Sequence, residues 1–384
     1  MKIRIRLVYE LGGPLLLIAL VALVGSMMSI AQQANVINIL VTATIVIGLY
    51  VFIGNSGVMS FGQISFVAVA AFAAGILTSP VAIRSTTMPQ LFHFLAVTKI
   101  SNLESLLLGA LLGAVFALLT GLVLMRLSGL AAGIATFAVL EITYDVITYW
   151  NKIGPGARTL ALVPVSTGLS VSAIGCGIAV LAAFLYQHTR SCRLLRASRE
   201  DISAARGIGV SVFRQRLVAF TLSGAIAGFG GALFVHELGS IQSSQVYIDL
   251  TFTTLAMLVV GGSGSLWGAT VGGIGFGIVD VFLRNAENGV ALGSLHLSIP
   301  SGTSTIILGA FMVAVLILLP RGVTGSRECL ERFSMKRFSK AVRLDDQDAP
   351  RKPQALALGS RDASWSETES LGAYWPLPPS PLGL

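Results

Sequence analysis

Residues 190–216 read RSCRLLRASREDISAARGIGVSVFRQR and place seven arginines between two long apolar runs. A segment this cationic remains on the cytoplasmic side when membrane-spanning helices flank it. Within the stretch, Ala204-Ala205 followed by Gly209 predicts a short helix that ends at a glycine. A helix of this kind is suited to docking. We interpret residues 190–216 as a cytoplasmic loop that binds a separate protein.

The composition of the whole chain is that of a membrane protein. Hydrophobic residues make up 54%, charged residues 11%, and the mean hydropathy is +0.81, whereas soluble proteins carry about 25% charged residues. We therefore expect an all-α polytopic membrane protein with about 10 (8–10) transmembrane helices in one bundle, each using about 20 residues. The apolar runs that predict these helices lie at 11–30, 34–54, 57–79, 104–126, 129–150, 169–188, 216–238, 249–261, 266–284 and 304–320.

The placement of the basic residues predicts the orientation. Of the 26 Lys and Arg, twenty lie at residues 2–6, at 190–216 and beyond 320. Ten crossings that start inside put all three segments in the cytoplasm and loops 80–103 and 151–168 outside. We expect a multi-pass protein of the cell (inner) membrane with both termini cytoplasmic. The net charge of +8 then reflects contact with membrane lipid, and we expect no nucleic acid partner.

The chain divides into two parts by composition. Residues 1–325 carry the apolar runs and are expected to form the transmembrane domain. Beyond about residue 344 the sequence becomes acidic, polar and rich in proline. We therefore predict that 326–384 is a cytoplasmic, disordered tail.

No catalytic machinery is indicated. The sequence contains no GxxxxGK[ST] phosphate-binding loop, no nucleophile with a partnering base and no metal-ligand spacing among its three cysteines. We expect no enzyme activity, catalytic residue, metal or cofactor of the chain's own. Three acidic residues, Glu141, Asp145 and Asp280, are assigned to spans. So few buried charges argue against an ion-coupled carrier.

Residues 54–66 are unusually polar for membrane depth. Glycine, serine and amide residues are tolerated there when they line a cavity or pack against protein. The candidate translocation-pathway residues are Gly57, Ser60, Phe61, Gln63 and Glu141. Helix packing alone is the alternative interpretation of this segment.

Glycines recur at spacings that favour close helix contact. Glycine pairs four residues apart predict helices whose backbones approach closely in lipid, and they occur at 109/113, 129/133, 224/228, 268/272 and 273/277. The run 261–268 is also rich in glycine, but it does not fit a nucleotide-binding fingerprint. We expect Gly261, Gly262, Gly264 and Gly268 to form a hinge or tight turn between two membrane segments.

Four motifs give the chain a resemblance to a known family. The motifs are Gly57-Val-Met-Ser-Phe-Gly-Gln63, Thr136-Phe-Ala-Val-Leu-Glu141-Ile, Arg196 to Gly209, and Val259 to Gly268 followed by Leu319-Pro-Arg-Gly322. In their order and spacing they resemble the permease subunits of branched-chain amino acid ABC importers, of the LivM type. The wider group includes LivH-type and urea permeases.

The resemblance implies a transport permease that translocates branched-chain amino acids or a related small polar solute. The partners it implies are cytoplasmic ABC ATPase subunits, which bind the ATP, a second related permease and an extracytoplasmic solute-binding protein. It also implies that Glu200, Asp201, Ala204, Ala205 and Gly209 belong to the loop that couples the permease to the ATPase.

Two departures from the family pattern concern solute and coupling. Arg158 replaces a small or acidic residue in Gly154-Pro-Gly156-Ala-Arg158, which puts the amino acid solute in question. Ser203 occupies the position of the motif's glutamate, so Glu200 or Asp201 would take the acidic role.

Three other functions stay open. An ABC permease for urea or amides would have the same architecture. A stand-alone secondary carrier or channel would transport solute without an ATPase, and a membrane scaffold would transport nothing. For the last two, the arginine loop would serve only as a topology signal.

Overall fold

The computed structural model describes residues 2–287, 290–292, 295–297, 303–318 and 322–324. These residues are helical apart from connecting segments and one antiparallel hairpin of strands β1, Val290–Leu292, and β2, Leu295–Leu297. The architecture confirms an all-α polytopic membrane protein. The helices are α1 Lys2–Ser26, α2 Ile30–Ser56, α3 Gln63–Thr78, α4 Val81–Thr87, α5 His93–Val97, α6 Asn102–Leu124, α7 Leu130–Tyr149, α8 Leu169–Gln187, α9 Arg190–Glu200, α10 Ile202–Gly207, α11 Val212–Leu238, α12 Ile248–Gly261, α13 Leu266–Glu287 and α14 Thr303–Leu318.

Each of the ten predicted apolar runs overlaps a helix. Among the described residues, seven helical stretches are long and apolar enough to cross a membrane, and three apolar helices are shorter. The short run 249–261 is α12, and a 3-10 helix, Ser243–Val246, precedes it. The expected tail 326–384 and the second compact unit, Arg337–Leu384, lie outside the described residues.

One predicted span begins later than its apolar run. The run 57–79 predicted helix from residue 57, but α3 starts at Gln63 and 57–62 form an irregular connection. The reason is Gly57, which ends α2 with φ of +69° and donates its backbone N–H to the Ile53 carbonyl. Only glycine adopts this left-handed conformation readily. The prediction of helix over residues 57–62 was therefore wrong.

Helix α2 lies at the centre of the bundle. Residues 39–56 of α2 are buried throughout, and the helix is packed by α11, α13 and α8. Aromatic rings fill the space beside it, with Phe220 meeting Phe52 at 4.9 Å and Phe66 at 5.2 Å between ring centroids. A helix that is apolar on all sides is stable only when neighbours surround it.

Helices α6 and α11 meet through glycines. A Cβ on Gly113 would lie 2.2 Å from the Gly224 carbonyl oxygen, and one on Gly228 would lie 2.3 Å from the Gly109 carbonyl oxygen. The backbones therefore touch directly. This confirms the close packing that the pairs 109/113 and 224/228 predict, because van der Waals contact replaces hydrophobic drive between helices in lipid.

The remaining glycine pairs have different outcomes. Gly272 lies against Met257 and Gly261 of α12, so the pair 268/272 also forms a close helix contact. Gly273 and Gly277 pack on α2. Gly129 does not pack at all. It precedes α7 with φ of +61° and open space around its Cβ position, so the packing prediction for this residue was wrong.

Helix α6 leaves most of its surface uncovered. Its buried positions form one stripe with a repeat of four, from Ser105 to Gly121. The other face exposes large apolar side chains, among them Leu103, Leu107 and Leu111, which are 70%, 66% and 59% exposed. Such a surface is stable against lipid or against another membrane subunit.

Candidate functional site

The arginine loop folds into two helices joined by an elbow. Helix α9 begins after Thr189, whose Oγ1 accepts the Cys192 backbone N–H. It ends at Glu200, and Asp201 follows in extended backbone conformation. The Asp201 carboxylate accepts the backbone N–H groups of Ser203 and Ala204, at 2.7 and 2.9 Å. Asp201 therefore caps α10, which is the usual role of a short acidic side chain at a helix start.

The second helix ends as the sequence predicts. Gly209 has φ of +81°. The Val210 N–H donates to the Ala205 carbonyl and the Gly209 N–H to the Arg206 carbonyl, both at 3.0 Å. This pair of bonds forms a Schellman motif, which closes a helix and satisfies its last carbonyls. The predicted shape of this element, a short helix ended by glycine, is confirmed.

The two alanines of the loop face different surroundings. Ala205 is buried against this chain, at 4% exposed. Glu200, Ala204 and Gly209 are exposed, and Ile208 beside them is 79% exposed. The surface that a partner would contact is therefore formed by Ala204, Ile208 and Gly209, while Ala205 anchors α10. The exposed isoleucine is a feature that the sequence analysis did not single out.

Helix α9 is held against the C-terminal end of α2 by hydrogen bonds. The Arg196 Nε donates to Asn55 Oδ1 at 2.8 Å, and its guanidinium also reaches the Tyr50 hydroxyl at 3.2 Å. The Arg199 Nη1 donates to the Gly54 carbonyl at 3.0 Å. The Cys192 Sγ lies 3.2 Å from Asn55 Oδ1. We call this set the α9–α2 clasp, consisting of Cys192, Arg196 and Arg199 on α9 and Tyr50, Gly54 and Asn55 on α2.

The clasp is built at a buried site. Tyr50 and Asn55 are 0% exposed, and Tyr50 also accepts a hydrogen bond from the Gln187 side chain at the end of α8. Burial raises the pKa of the Cys192 thiol, although the nearby Arg196 opposes the shift. Buried polar groups of this kind require partners, since an unpaired one is costly. The arginines of α9 supply them.

Residues 54–66, which we call the polar segment, begin at the clasp. The Arg199 side chain lies across Gly57, where a Cβ would be 2.8 Å from Arg199 Nε. Ser60 and Gln63 are both 1% exposed. The Gln63 Oε1 accepts from the Ser223 hydroxyl at 3.0 Å, which also donates to the Gly48 carbonyl. Among the described residues, none is a hydrogen-bond partner of the Ser60 hydroxyl or of Gln63 Nε2.

Glu141 belongs to a different group of contacts. Its carboxylate accepts a hydrogen bond from the Tyr247 hydroxyl, and the Tyr247 ring stacks on Tyr144 at 4.0 Å. The link to the polar segment is indirect. The Phe61 N–H donates to Thr136 Oγ1 on α7 at 3.1 Å. The structure thus brings Gln63 to α11 and Glu141 to the segment before α12, although one pathway was predicted for both.

The glycine-rich run forms a tight turn between α12 and α13, as its sequence predicts. Gly262 has φ of +111°, and a Cβ on Gly261 would lie 2.1 Å from the Gly268 carbonyl oxygen. Gly264 lies in the turn itself. Residues after α14 cover this turn, because the Val323 N–H donates to the Val260 carbonyl at 2.8 Å and Thr324 Oγ1 donates to that of Gly261.

The turn and the clasp are adjacent. A Cβ on Gly54 would lie 2.4 Å from the Ser263 carbonyl oxygen. Gly54 therefore contacts the α12–α13 turn on one side, and its carbonyl accepts from Arg199 on the other. Three motifs that lie far apart in the sequence converge at the end of α2.

A cavity of about 390 Å³ lies beside Arg158. In the sequence, helix α8 separates Arg158 from the arginine loop, residues 190–216. Polar residues line part of it, including Thr148, whose buried hydroxyl has no partner in the part of the chain that the structure describes. The residues around it are Thr87, Met88, Pro89, Gln90, Thr148, Tyr149, Asn151, Gly154, Pro155, Ala157 and Arg158. Arg158 is exposed at its edge.

The sequence analysis missed two buried polar residues of α11. Glu237 was not counted among the acidic residues within spans, yet its Oε2 is shielded from solvent and its side chain contacts Asn38 of α2. His236 falls in the predicted span 216–238, and its side chain is 0% exposed, with Nε2 2.7 Å from the Ser105 hydroxyl. The signal for both was available, since a charged or imidazole side chain inside an apolar run requires a partner.

The described residues contain no group of three His, Cys, Asp or Glu side chains that could hold a metal ion.

The family described as the permease component of the branched-chain amino acid transport system matches residues 26–316. The chain belongs to this permease family. Its members work as multi-pass permease subunits of ABC importers, with ATPase and binding-protein partners, and they are not enzymes.

Individual relatives divide between two named systems. The chain is 28% identical over 268 residues to the autoinducer 2 import system permease protein LsrC of Escherichia coli, covering 63% of this chain and 75% of that protein. Its identity to LsrC of an Enterobacter species is 29% over 229 residues, covering 57% and 62%. Its identity to the high-affinity branched-chain amino acid transport system permease protein LivM of Salmonella typhimurium is 24% over 311 residues, covering 72% and 66%. No solved structure matches the chain.

Proposed function

We propose that this chain imports a small polar solute, with branched-chain amino acids as the first candidate, using ATP that separate subunits hydrolyse. The observation that carries the proposal is the capped helix α10, which exposes Ala204, Ile208 and Gly209 next to a fixed anchor, Ala205. An exposed apolar tip on a short, closed helix is suited to a cleft in a cytoplasmic ATPase. We further propose that the protein lies in the inner membrane and that both of its termini are on the cytoplasmic side.

The pathway proposed here uses the polar segment and the Glu141 contact. Ser60 and Gln63 carry buried polar atoms without partners, and buried groups of this kind favour a state of the protein in which water or solute satisfies them. Gly57 and Phe61 belong to the same segment, and Glu141 is included through α7, whose Thr136 accepts the Phe61 N–H. We assign Gly261, Gly262, Gly264 and Gly268 to a turn that moves with the end of α2.

Reconstitution tests the proposal. Proteoliposomes with this chain, its ATPase, a related permease and the binding protein are expected to accumulate L-leucine only when ATP is supplied. The control is the same complex with an ATPase that cannot hydrolyse ATP. Uphill accumulation by this chain alone, driven by an ion gradient, would establish a secondary carrier instead.

Docking through α10 has its own test. Replacing the exposed Ile208 with aspartate puts a charge on the proposed contact surface, and we expect at least a tenfold loss of ATPase affinity in a pull-down titration. The control is Ile202→Asp at the half-buried first position of α10, which places the same charge at the other end of the helix from Ile208. Unchanged binding by Ile208→Asp would contradict the assignment.

A second candidate solute is autoinducer 2. It is favoured by the LsrC relatives, which have higher identity to this chain than LivM has, although LivM covers more of it. Competition in the proteoliposome assay separates the candidates, with L-leucine, autoinducer 2 and urea added in turn. The solute that saturates uptake at the lowest concentration identifies the class.

A further inference from the structure

We propose that Arg196 and Arg199 are positioning residues. They make α9 and α10, which form the proposed docking loop, move together with α2 as one body. The inference rests on the proposed function and adds a route by which displacement of α10 reaches the polar segment. Neither arginine contacts solute in this scheme. Each acts through the end of α2.

The helix proposed to dock, α10, is close in sequence to the clasp on α9. One residue, Asp201, separates α10 from α9, and its carboxylate is already engaged in capping α10. Ala205 is buried against the rest of the chain. A displacement of α10 therefore cannot be absorbed by a long flexible linker, and α9 must follow it.

The α9–α2 clasp is made of hydrogen bonds, which have a defined direction. Asn55 Oδ1 accepts from Arg196 Nε at 2.8 Å and lies 3.2 Å from Cys192 Sγ. Arg199 binds the Gly54 carbonyl one residue earlier. Charge-assisted hydrogen bonds at a buried site are strong and hold a specific geometry. The clasp therefore transmits pulling as well as pushing, which apolar contact alone does not.

The C-terminal end of α2 contacts two further elements, the polar segment and the α12–α13 turn. Gly57 ends α2 under the Arg199 side chain, and the chain then enters the segment that carries Ser60 and Gln63. On its other side Gly54 contacts the Ser263 carbonyl of the α12–α13 turn. Movement of α2 at this end thus displaces both the polar segment and the turn.

A competing route exists and the test must exclude it. The Ser191 hydroxyl donates to Gln215 Oε1 at 2.5 Å, which connects α9 to α11 rather than to α2. Spatial connection does not by itself demonstrate energetic coupling. The clasp route requires that loss of Arg196 and Arg199 uncouples the polar segment, whereas the α11 route requires that it does not.

The thiol of Cys192 reports whether the clasp is closed. In the variant Cys176→Ala/Cys329→Ala, Cys192 is the one remaining cysteine of the three in the sequence. Because Cys192 is buried and its pKa is raised, we expect slow alkylation by N-ethylmaleimide. Arg196→Gln removes a group that lowers the Cys192 pKa, which by itself slows alkylation. We expect local opening of the clasp to outweigh this effect and to increase the rate about tenfold. Arg193→Gln removes an exposed arginine from the same helix and is expected to leave the rate unchanged.

The decisive measurement does not depend on the solute. A spin label carried by an unnatural keto amino acid at the half-exposed position of Met59, which leaves Cys192 in place, reports the polar segment in the complex with the ATPase. We expect ATP to change its spectrum in the parent complex and in Arg193→Gln. In Arg196→Gln/Arg199→Gln we expect ATP hydrolysis to continue while the spectral change is reduced at least fivefold. Arg199→Gln alone, which loses one bond to a backbone oxygen, is the milder variant if the double variant fails to fold.

The outcomes separate the inference from the function on which it rests. An unchanged ATP response in the double variant, with Cys192 alkylation accelerated, would overturn the clasp route. An ATP response reduced equally in Arg193→Gln would also overturn it, because loss of charge would then be sufficient. Failure of the parent chain to bind any ATPase would refute the proposed function, while the alkylation rates would still measure the clasp.

Discussion

The contact between α6 and α11 and the contact between α9 and α2 hold their helices in opposite ways. The first is made mainly of glycine backbones that touch at Gly113 and Gly224, with the Ser105–His236 hydrogen bond at one end of the contact. The second depends on side chains that donate to Asn55, Tyr50 and Gly54. At the glycines of α6 and α11, shape therefore determines the packing, whereas directional hydrogen bonds fix the arginine-rich helix α9 on α2.

The two contacts also differ in what disrupts them. A close backbone contact has no room for a larger side chain, because packed interiors lack voids and yield only at a cost in strain. A hydrogen-bonded contact accepts changes of size but not the loss of a donor. Added volume at the glycines should therefore damage the first contact, whereas loss of a donor from Arg196 or Arg199 should damage the second.

The largest effect is expected from Gly113→Leu. Its Cβ alone would lie 2.2 Å from the Gly224 carbonyl oxygen and 2.9 Å from Gly228 Cα. Because backbone atoms cannot move aside as a flexible side chain can, we expect destabilisation of about 3 kcal/mol or more. The yield of monodisperse protein after size-exclusion chromatography measures it.

The control for that substitution lies two residues away on the exposed face. Leu111→Ala shortens a side chain that is 59% exposed, and we expect near-normal yield. Equal losses for Gly113→Leu and Leu111→Ala would show that α6 is sensitive along its whole surface rather than at the glycine contact.

A somewhat smaller effect is expected from Gly272→Ala at the α12–α13 contact. The added Cβ would lie 2.1 Å from the Met257 carbonyl oxygen, whereas at Gly275 on the same helix no atom lies within 4 Å. Both changes add one methyl group to α13. We expect about 2 kcal/mol of destabilisation for Gly272→Ala and none for Gly275→Ala, measured as thermal unfolding midpoints in detergent. Matching midpoints would mean that this contact is looser than its geometry indicates.

A smaller effect again is expected from Gly209→Ala in the docking loop. Neither Gly209 nor Gly207 has an atom within 4 Å of its Cβ position, but only Gly209 has a positive φ, +81°. An L-residue in that conformation costs about 1 kcal/mol, whereas Gly207→Ala, within α10, stabilises a helix by about 0.5 kcal/mol. Proteolysis rates within 200–210 in the intact chain should rise for the first and fall for the second. Parallel changes would contradict the Schellman end of α10.

Sequence reasoning reached the elements that local patterns determine. The ten apolar runs overlap helices because hydrophobic length is a local property, and the end of α10 follows from Gly209. It could not identify partners. Tyr50 and Arg196 lie 146 residues apart, and no spacing rule connects them. Glu237, beside His236 at the end of an apolar run, could have been identified from the sequence. Gly129 was misassigned because spacing does not distinguish a packing glycine from a helix start.

The smallest effect is expected from Tyr247→Phe, which extends the comparison to a polar contact on the open side of the bundle. The change removes the donor to the Glu141 carboxylate but keeps the ring that stacks on Tyr144. Because Glu141 is partly exposed, water replaces some of the lost hydrogen bond. We expect the KM for the transported solute to rise roughly threefold with an unchanged rate of ATP hydrolysis, less than the roughly tenfold effect of an enclosed charged bond. Tyr149→Phe, at a tyrosine that is 76% exposed, is the control and is expected to leave the KM unchanged. Equal KM values for Tyr247→Phe and the parent would place Glu141 outside the solute pathway and leave the segment from Ser60 to Gln63 as its polar lining.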